Sequence, residues 1–364
     1  MRFAMLLLVT GCRSIFGIHD PSVAIDDANH DATGDGPIDG DACTSFSTVI
    51  DTCALPPGAP LPSATTAYNS DTGMITLGLA SLAMPHVVVT TIGGPLDVVS
   101  ITTFVQDPDA LLRITGTNPV AFAVTGELEI SGHIDLSAGG AGAGCDAVST
   151  GEPGVVQGAA GDGGGGGGNS APGGDGGGGD NHPTQTHGGA AVPSGAYHAG
   201  CAGGHGGGAG QPAGGLGGGG LYLVAASAVL IGGVIDVSGG GGQGGVLLGG
   251  RVGGGGGGTG GALVIEAPHV ALAGHLDATG GGGGGGSSVV TEGVAGRLGS
   301  QGGTGGHGSS SNAGGRGGTG SIDPAPGVGA VPGEGGGGGG GAVGRIGIVS
   351  PDFTNGGSVS PPPS

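Results

Sequence analysis

The sequence predicts an all-β fold: parallel β-helix or β-solenoid-like repeats interrupted by long glycine-rich loops. Three observations predict it. No helical periodicity appears beyond the N-terminal segment, short Val/Ile/Leu-rich runs alternate with turn signals, and one strand motif recurs ahead of glycine runs. Glycine supplies 102 of 364 residues and proline 23, a level at which low complexity is the default expectation. A mean hydropathy of +0.22 opposes that default, because disordered chains combine low hydrophobicity with high net charge.

The chain opens with Arg2 and a short apolar run from Phe3 to Val9, the anatomy of an export signal over residues 1–11. Val9-Thr10-Gly11-Cys12 matches the lipobox of bacterial lipoproteins. The match implies diacylation of the Cys12 sulfur and retention at a membrane surface through the acyl chains. Cysteine parity agrees, since lipid on Cys12 leaves an even set of Cys43, Cys53, Cys145 and Cys201. Four cysteines permit three connectivities. Proximity favours Cys43–Cys53, which leaves Cys145–Cys201 to tie the ends of a glycine-rich excursion.

Residues 12–67 read as an acidic Asp/Pro/Gly tether with a small disulfide loop, with ordered structure expected from about Tyr68. Asp27, Asn29 and Asp31 alternate like the first ligands of a calcium loop, but Ala32 and Ile38 stand where that loop needs glycine and glutamate. Residues 68–138 carry β-branched runs broken by Gly93-Gly94, Asp107-Pro108 and Asn118-Pro119, as successive strands do.

A glycine-rich insertion follows at 139–220, then β-repeats with glycine loops at 221–364. Three copies of the repeat are clear: Leu128–Ser137, Val229–Ser238 and Val270–Thr279, with a worn fourth in Arg345–Ser360. Each clear copy runs strand, turn, strand, then Ile/Leu-Asp-x-Ser/Thr before glycine. One copy buries too little to fold alone, so copies are expected to stack. The alternative architecture is a β-sandwich with disordered glycine-rich insertions. For the tracts themselves, the simpler expectation is flexible loops. The other is extended polyglycine II helices with three residues per turn, packed closely because glycine lacks a side chain. Gly302, Gly305 and Gly308, then Gly314, Gly317 and Gly320, keep a triplet phase.

Asp135, Asp236 and Asp277 occupy one slot of the repeat. Stacked in register they would lie about 4.8 Å apart, repelling each other unless a cation intervenes. The favoured role is capping the exit turn into each glycine run, with cation binding second. His182, His187, His198, Cys201 and His205 cluster in one loop, but their spacing fits no established zinc pattern and Cys201 is expected in a disulfide. No catalytic residue, metal ligand set or cofactor motif is assigned.

Acidic residues number 27 against 7 arginines and no lysine, a formal net charge of −20. That balance, without tryptophan, excludes nucleic acid as a partner. The lipobox, the Asp/Pro/Gly tether, Tyr68-Asn69-Ser70-Asp71-Thr72-Gly73 and the Gly-x-Ile-Asp-x-Ser-Gly-Gly units together resemble the glycine-rich surface lipoproteins of gliding Gram-negative bacteria. The resemblance implies no established activity. The expectation is a non-enzymatic, lipid-anchored protein of the cell envelope, at the outer membrane or cell surface, with a structural or adhesive role. Its partners would be the membrane through Cys12 and extracellular polysaccharide or other surface proteins. A carbohydrate- or surface-binding solenoid module is the first alternative, and a polysaccharide-active β-helix enzyme the second.

Overall fold

The computed structural model describes residues 43–364 apart from 92, 181, 183–185, 193–197, 247–250, 289–302, 309–311 and 320–321. The expected signal peptide, Cys12 and the expected acidic tether up to residue 42 lie outside the described residues.

Strands begin with β1 (Ala59–Leu61), β2 (Ala67–Asn69), β3 (Met74–Leu77), β4 (Ala80–Ala83) and β5 (His86–Thr91). The long β6 (Gly94–Gln106) is followed by β7 (Leu111–Thr115), then β8 (Val120–Val124), β9 (Leu128–Ile130) and β10 (His133–Asp135). The short pair β11 (Val156–Gln157) and β12 (Ala160–Gly161) sits in the first glycine-rich excursion. Three further triplets complete the order. They are β13 (Gly220–Ala225), β14 (Ala228–Ile231) and β15 (Val234–Asp236); β16 (Ala262–Glu266), β17 (His269–Leu272) and β18 (His275–Asp277); and β19 (Arg345–Val349), β20 (Asp352–Asn355) and β21 (Ser358–Ser360).

Beside the antiparallel pairs β2–β3, β3–β4, β5–β6 and β11–β12, these strands form three parallel ladders. One runs β6–β8–β13–β16–β19 and the second β6–β9–β14–β17–β20, both sharing β6, so together they make one curled sheet. The third runs β2–β7–β10–β15–β18–β21. Parallel pairing throughout the repeats departs from the antiparallel pairing of a β-sandwich.

Register explains why the repeat tolerates such unequal spacing in sequence. Val99, Phe122, Leu223, Ile265 and Ile348 pair in turn along the first ladder. Phe104, Leu128, Val229, Val270 and Phe353 do so along the second. Leu112, Ile134, Ile235, Leu276 and Val359 follow along the third. Alternate residues of a strand face one side, so like residues stack and, apart from the exposed Phe353, form one continuous apolar core between the ladders. Near its N-terminal strands Phe122 meets Tyr68 and Phe104 edge-on, each at 6.1 Å between ring centroids.

Structure starts earlier than the expected Tyr68, because a second apolar cluster covers the outside of the first ladder. Ile50, Phe46 and Leu55 pack there against Val98, Ala121, Tyr222, Val224 and Val264. Buried Glu266 holds the segment down, accepting from the Ser47 hydroxyl and the Thr48 amide, both at 2.7 Å. A compact unit therefore spans Thr44–Ser364, and residues 44–67 belong to it rather than to a tether. At the other end, Ser364 donates its amide to Ile346 at 2.9 Å, while Pro361–Pro363 bring no N–H to the edge, which discourages further strand pairing.

The glycine tracts all leave from one corner, between the third ladder and the next strand of the first. There they bond to one another through the backbone, with partners that repeat every three residues. The amides of Gly161, Gly164 and Gly167 donate to the carbonyls of Arg251, Gly254 and Gly257. Those of Asp162, Gly165 and Gly168 donate to Val155, Glu152 and Ser149, and those of Gly163 and Gly166 to Gly177 and Gly174. Carbonyls on the same segment accept from Gly336, Gly339 and Ala342, from Gly207 and Gly204, from Gly189 and from the Thr186 hydroxyl. Residues 253–261 repeat the pattern, donating by turns to 207, 204 and 201, to 336, 339 and 342, and to 243, 240 and 237. Cys145 and Cys201 are disulfide-bonded across this region, and Cys43 and Cys53 are also disulfide-bonded.

Close approach makes glycine obligatory here. A Cβ on Gly256 would lie 2.0 Å from the Gly165 carbonyl oxygen. Gly256→Ala should therefore destabilise by at least about 1–3 kcal/mol, whereas Gly329→Ala, with nothing nearer than 3.8 Å, should leave the urea midpoint unchanged. Equal losses would contradict the packed arrangement.

Asp162 is the one acid within residues 161–168, and it is fully buried. Its Oδ1 accepts from the Gly179 amide at 2.8 Å, while Oδ2 has no partner. Burial pushes its pKa above the usual carboxylate value, against the Gly179 hydrogen bond and nearby His182. A raised carboxyl contributes stability that is complete in acid and lost as pH rises through the raised value. Asp162→Asn removes that loss, so the variant should gain stability relative to wild type between about pH 3 and pH 7. A constant difference in melting temperature across that range would contradict the assignment.

Candidate functional site

Polar side chains converge on the outward side of the third ladder, at the corner where the chain departs into glycine. Cross-strand pairing aligns Arg113, Asp135, Asp236, Asp277 and Ser360 in one row. Two residues earlier on each strand, and so on the same side, Leu111, His133, Val234, His275 and Ser358 make a second row. The three equivalent aspartates are thus neighbours in space although 101 and 41 residues separate them (236 − 135 and 277 − 236).

Turn capping and stacking in register occur together at these aspartates. Each caps the turn two residues on. Asp135 Oδ1 accepts from the Ser137 amide at 2.9 Å and its hydroxyl at 2.7 Å. Asp236 Oδ1 accepts from the Ser238 amide at 2.8 Å, and Asp277 Oδ1 from the Thr279 amide at 3.2 Å. Short polar side chains favour such local bonds, which is why the motif reads Asp-x-Ser/Thr. The same caps hold three carboxylates one strand spacing apart.

Their charges are unequally compensated. Arg113 Nη1 lies 2.5 Å from Asp135 Oδ2, and its Nη2 donates to the Ser137 carbonyl at 2.6 Å. Burial works against ionisation of Asp135, but the Ser137 hydrogen bonds and Arg113 outweigh it and hold the carboxyl below its usual range. Asp277 goes the other way. Burial, with the adjacent Asp236 charge added, outweighs the Thr279 hydrogen bonds and raises its pKa.

Among the described residues, His133, Asp135 and Asp236 can bring one ligand atom each within 4.8 Å of one another. All three are half-buried, and His133 Nε2 is shielded from solvent without a hydrogen-bond partner. His275 Nδ1 bonds instead to the Ser358 hydroxyl. The sequence singled out the aspartates but not His133 or Arg113. Their signal was present: both are aligned with the repeat, one two residues before Asp135 and the other opposite Asp135 on the preceding strand of the ladder.

The other cysteine and histidine cluster does not assemble as a ligand set. Cys201 is committed to its disulfide. His187 Nδ1 lies 3.6 Å from Asp175, and His205 Nδ1 faces the Gly206 carbonyl at 3.4 Å. A further network, missed in sequence, closes the core beside β2. Buried Asp97 accepts from the Tyr68 hydroxyl at 2.5 Å and pairs with His86 Nδ1 at 2.7 Å. Burial and the Asp97 carboxylate raise the Tyr68 pKa well above its usual value, so the phenol remains a donor.

No family model, curated protein or solved structure matches this chain.

Unequal compensation predicts opposite effects at two equivalent positions in metal-free protein. Asp236→Asn keeps the turn cap and relieves repulsion, so it should stabilise by roughly 1 kcal/mol, the scale of two charges at this spacing. Asp135→Asn takes from Arg113 its carboxylate counter-charge and should destabilise by roughly 1–3 kcal/mol. Urea unfolding with chelator present reads both, and the same sign for the two variants would contradict the charge account.

Proposed function

We propose that the protein is a non-catalytic, lipid-anchored component of the bacterial cell envelope with a structural or adhesive role. Its body is a parallel β-helix, each coil contributing one strand to each ladder. One corner carries a bundle of polyglycine II helices displayed away from the coils. The observation that carries this reading is the triplet repeat of hydrogen-bond partners among the glycine segments. Three residues per turn is the period of polyproline-II geometry, which has no internal hydrogen bonds and turns its amides and carbonyls outward.

Such a bundle suits a rigid display element better than a reaction centre. Its interior is backbone, and its segments end in loops that a partner could meet. The strand core supplies the rigid base. No helix among the described residues is long and apolar enough to cross a membrane, and attachment in this proposal rests on lipid at Cys12. The chemistry of the acyl chains, not a protein span, would hold it at the outer membrane or cell surface. Extracellular polysaccharide or other surface proteins are the proposed partners.

The test combines address with activity. Detergent-extracted native protein should begin at Cys12 and carry the mass of its acyl chains, and Cys12→Ser should release it from membranes. Cells lacking the protein should adhere less, and purified protein should leave polysaccharides intact. Depolymerisation of any polysaccharide would overturn the non-catalytic reading, and a soluble wild-type protein without lipid would overturn the anchor. Selective binding on a glycan array would move the role to carbohydrate recognition.

A further inference from the structure

We propose that His133, Asp135 and Asp236 form a binding site for a divalent first-row transition-metal ion of the zinc class, set on the outward side of the third ladder. The inference is independent of the envelope role and rests on strand geometry. His133 and Asp135 lie two apart on β10 and so share a side, and Asp236 is the register partner of Asp135 on β15. Three donors are thereby fixed by the sheet itself, within 4.8 Å of one another.

Two features argue for a ligand beyond the turn caps. His133 Nε2 is shielded from solvent with no hydrogen-bond partner, an unfavourable state for an imidazole nitrogen unless something binds it. The row also holds three carboxylates, and among the described residues a guanidinium is paired with Asp135 only. A cation between Asp135 and Asp236 answers both.

Donor chemistry selects the class. Calcium takes six to eight oxygen ligands, whereas a mixed set of one imidazole and two carboxylates suits zinc, with water completing the shell. All three donors are half-buried rather than sealed from solvent. Arg113 is a built-in competitor, since it already occupies Asp135 Oδ2. Metal binding must share or displace that contact.

The experiment is titration of the chelator-treated full mature protein with zinc chloride, followed by calorimetry and by melting temperature. Wild type should bind one ion per chain and melt higher in zinc. His133→Gln and Asp236→Asn should each weaken binding at least about tenfold, as loss of a metal-site group does, and abolish the shift in melting temperature. Arg113→Gln should tighten binding, a result that a merely structural role for Arg113 would not give. His187→Gln and His205→Gln, remote from the ladder, should bind as wild type does. Failure of wild type to bind zinc overturns the proposal, as does unchanged binding in folded His133→Gln and Asp236→Asn. Calcium binding that ignores His133 would overturn it in favour of a carboxylate-only site.

Discussion

A glycine segment has no side chain, so it can be held only through its own amide and carbonyl. Everything distinctive in this molecule follows from that constraint. Each N–H and C=O must find a partner on a neighbouring segment when buried, and the partners must come from directions that match the turn of the chain. Residues 161–168 solve this with neighbours at 149–155, 173–179, 186–189, 200–207, 251–257 and 336–342. A net hydrogen bond contributes about 0.5–1.5 kcal/mol, while fixing one backbone residue costs about 1–2 kcal/mol. The two nearly cancel, so glycine contacts alone leave little margin and the segments depend on being delivered already aligned.

The parallel ladders provide that alignment. Their register places Asp135, Asp236 and Asp277 in adjacent strands, and each aspartate fixes the turn by which the chain leaves. Backbone bonding continues past the strand ends without a break. Leu136 donates to Asp236, Ala138 to Ser238 and Gly239 to Thr279. Segments therefore depart side by side, in phase, from one corner. The Cys145–Cys201 bond adds a further restraint across a separation of 56 residues, which loop entropy values at about 4 kcal/mol. Ladders and glycine segments thus depend on one another, the apolar core setting the register that the glycine segments need.

Much of this was legible in the sequence because it obeys simple periods. Alternating apolar residues and the Ile/Leu-Asp-x-Ser/Thr motif mark the third ladder, and both the stacking and the capping of its aspartates follow from them. The strap at residues 44–61 was not legible. Phe46, Ile50 and Leu55 are too sparse to form a pattern, and their burial depends on an apolar outer row of Val98, Ala121, Tyr222 and Val264 that reads as ordinary strand. The glycine tracts were ambiguous for a different reason. A triplet phase shows in residue type only where other residues interrupt the glycine, as around Gly314 and Gly317, and in an unbroken run it becomes visible only in hydrogen-bond partners. The Tyr68–Asp97–His86 network was hidden in the same way, its members unremarkable until β2, β5 and β6 bring them together.

The central claim is that the glycine segments are ordered by backbone bonds to one another. Amide hydrogen exchange of the native protein, read residue by residue or on short peptides, tests it most directly. The account predicts that amides of residues 161–168, 253–261 and 336–342 are protected to a degree comparable with β13 and β16. It also predicts that reducing the Cys145–Cys201 bond lowers protection in the glycine segments before it does so in the strands. Exchange of those glycine amides at the rate of an unstructured peptide, while the strands remain protected, would contradict it.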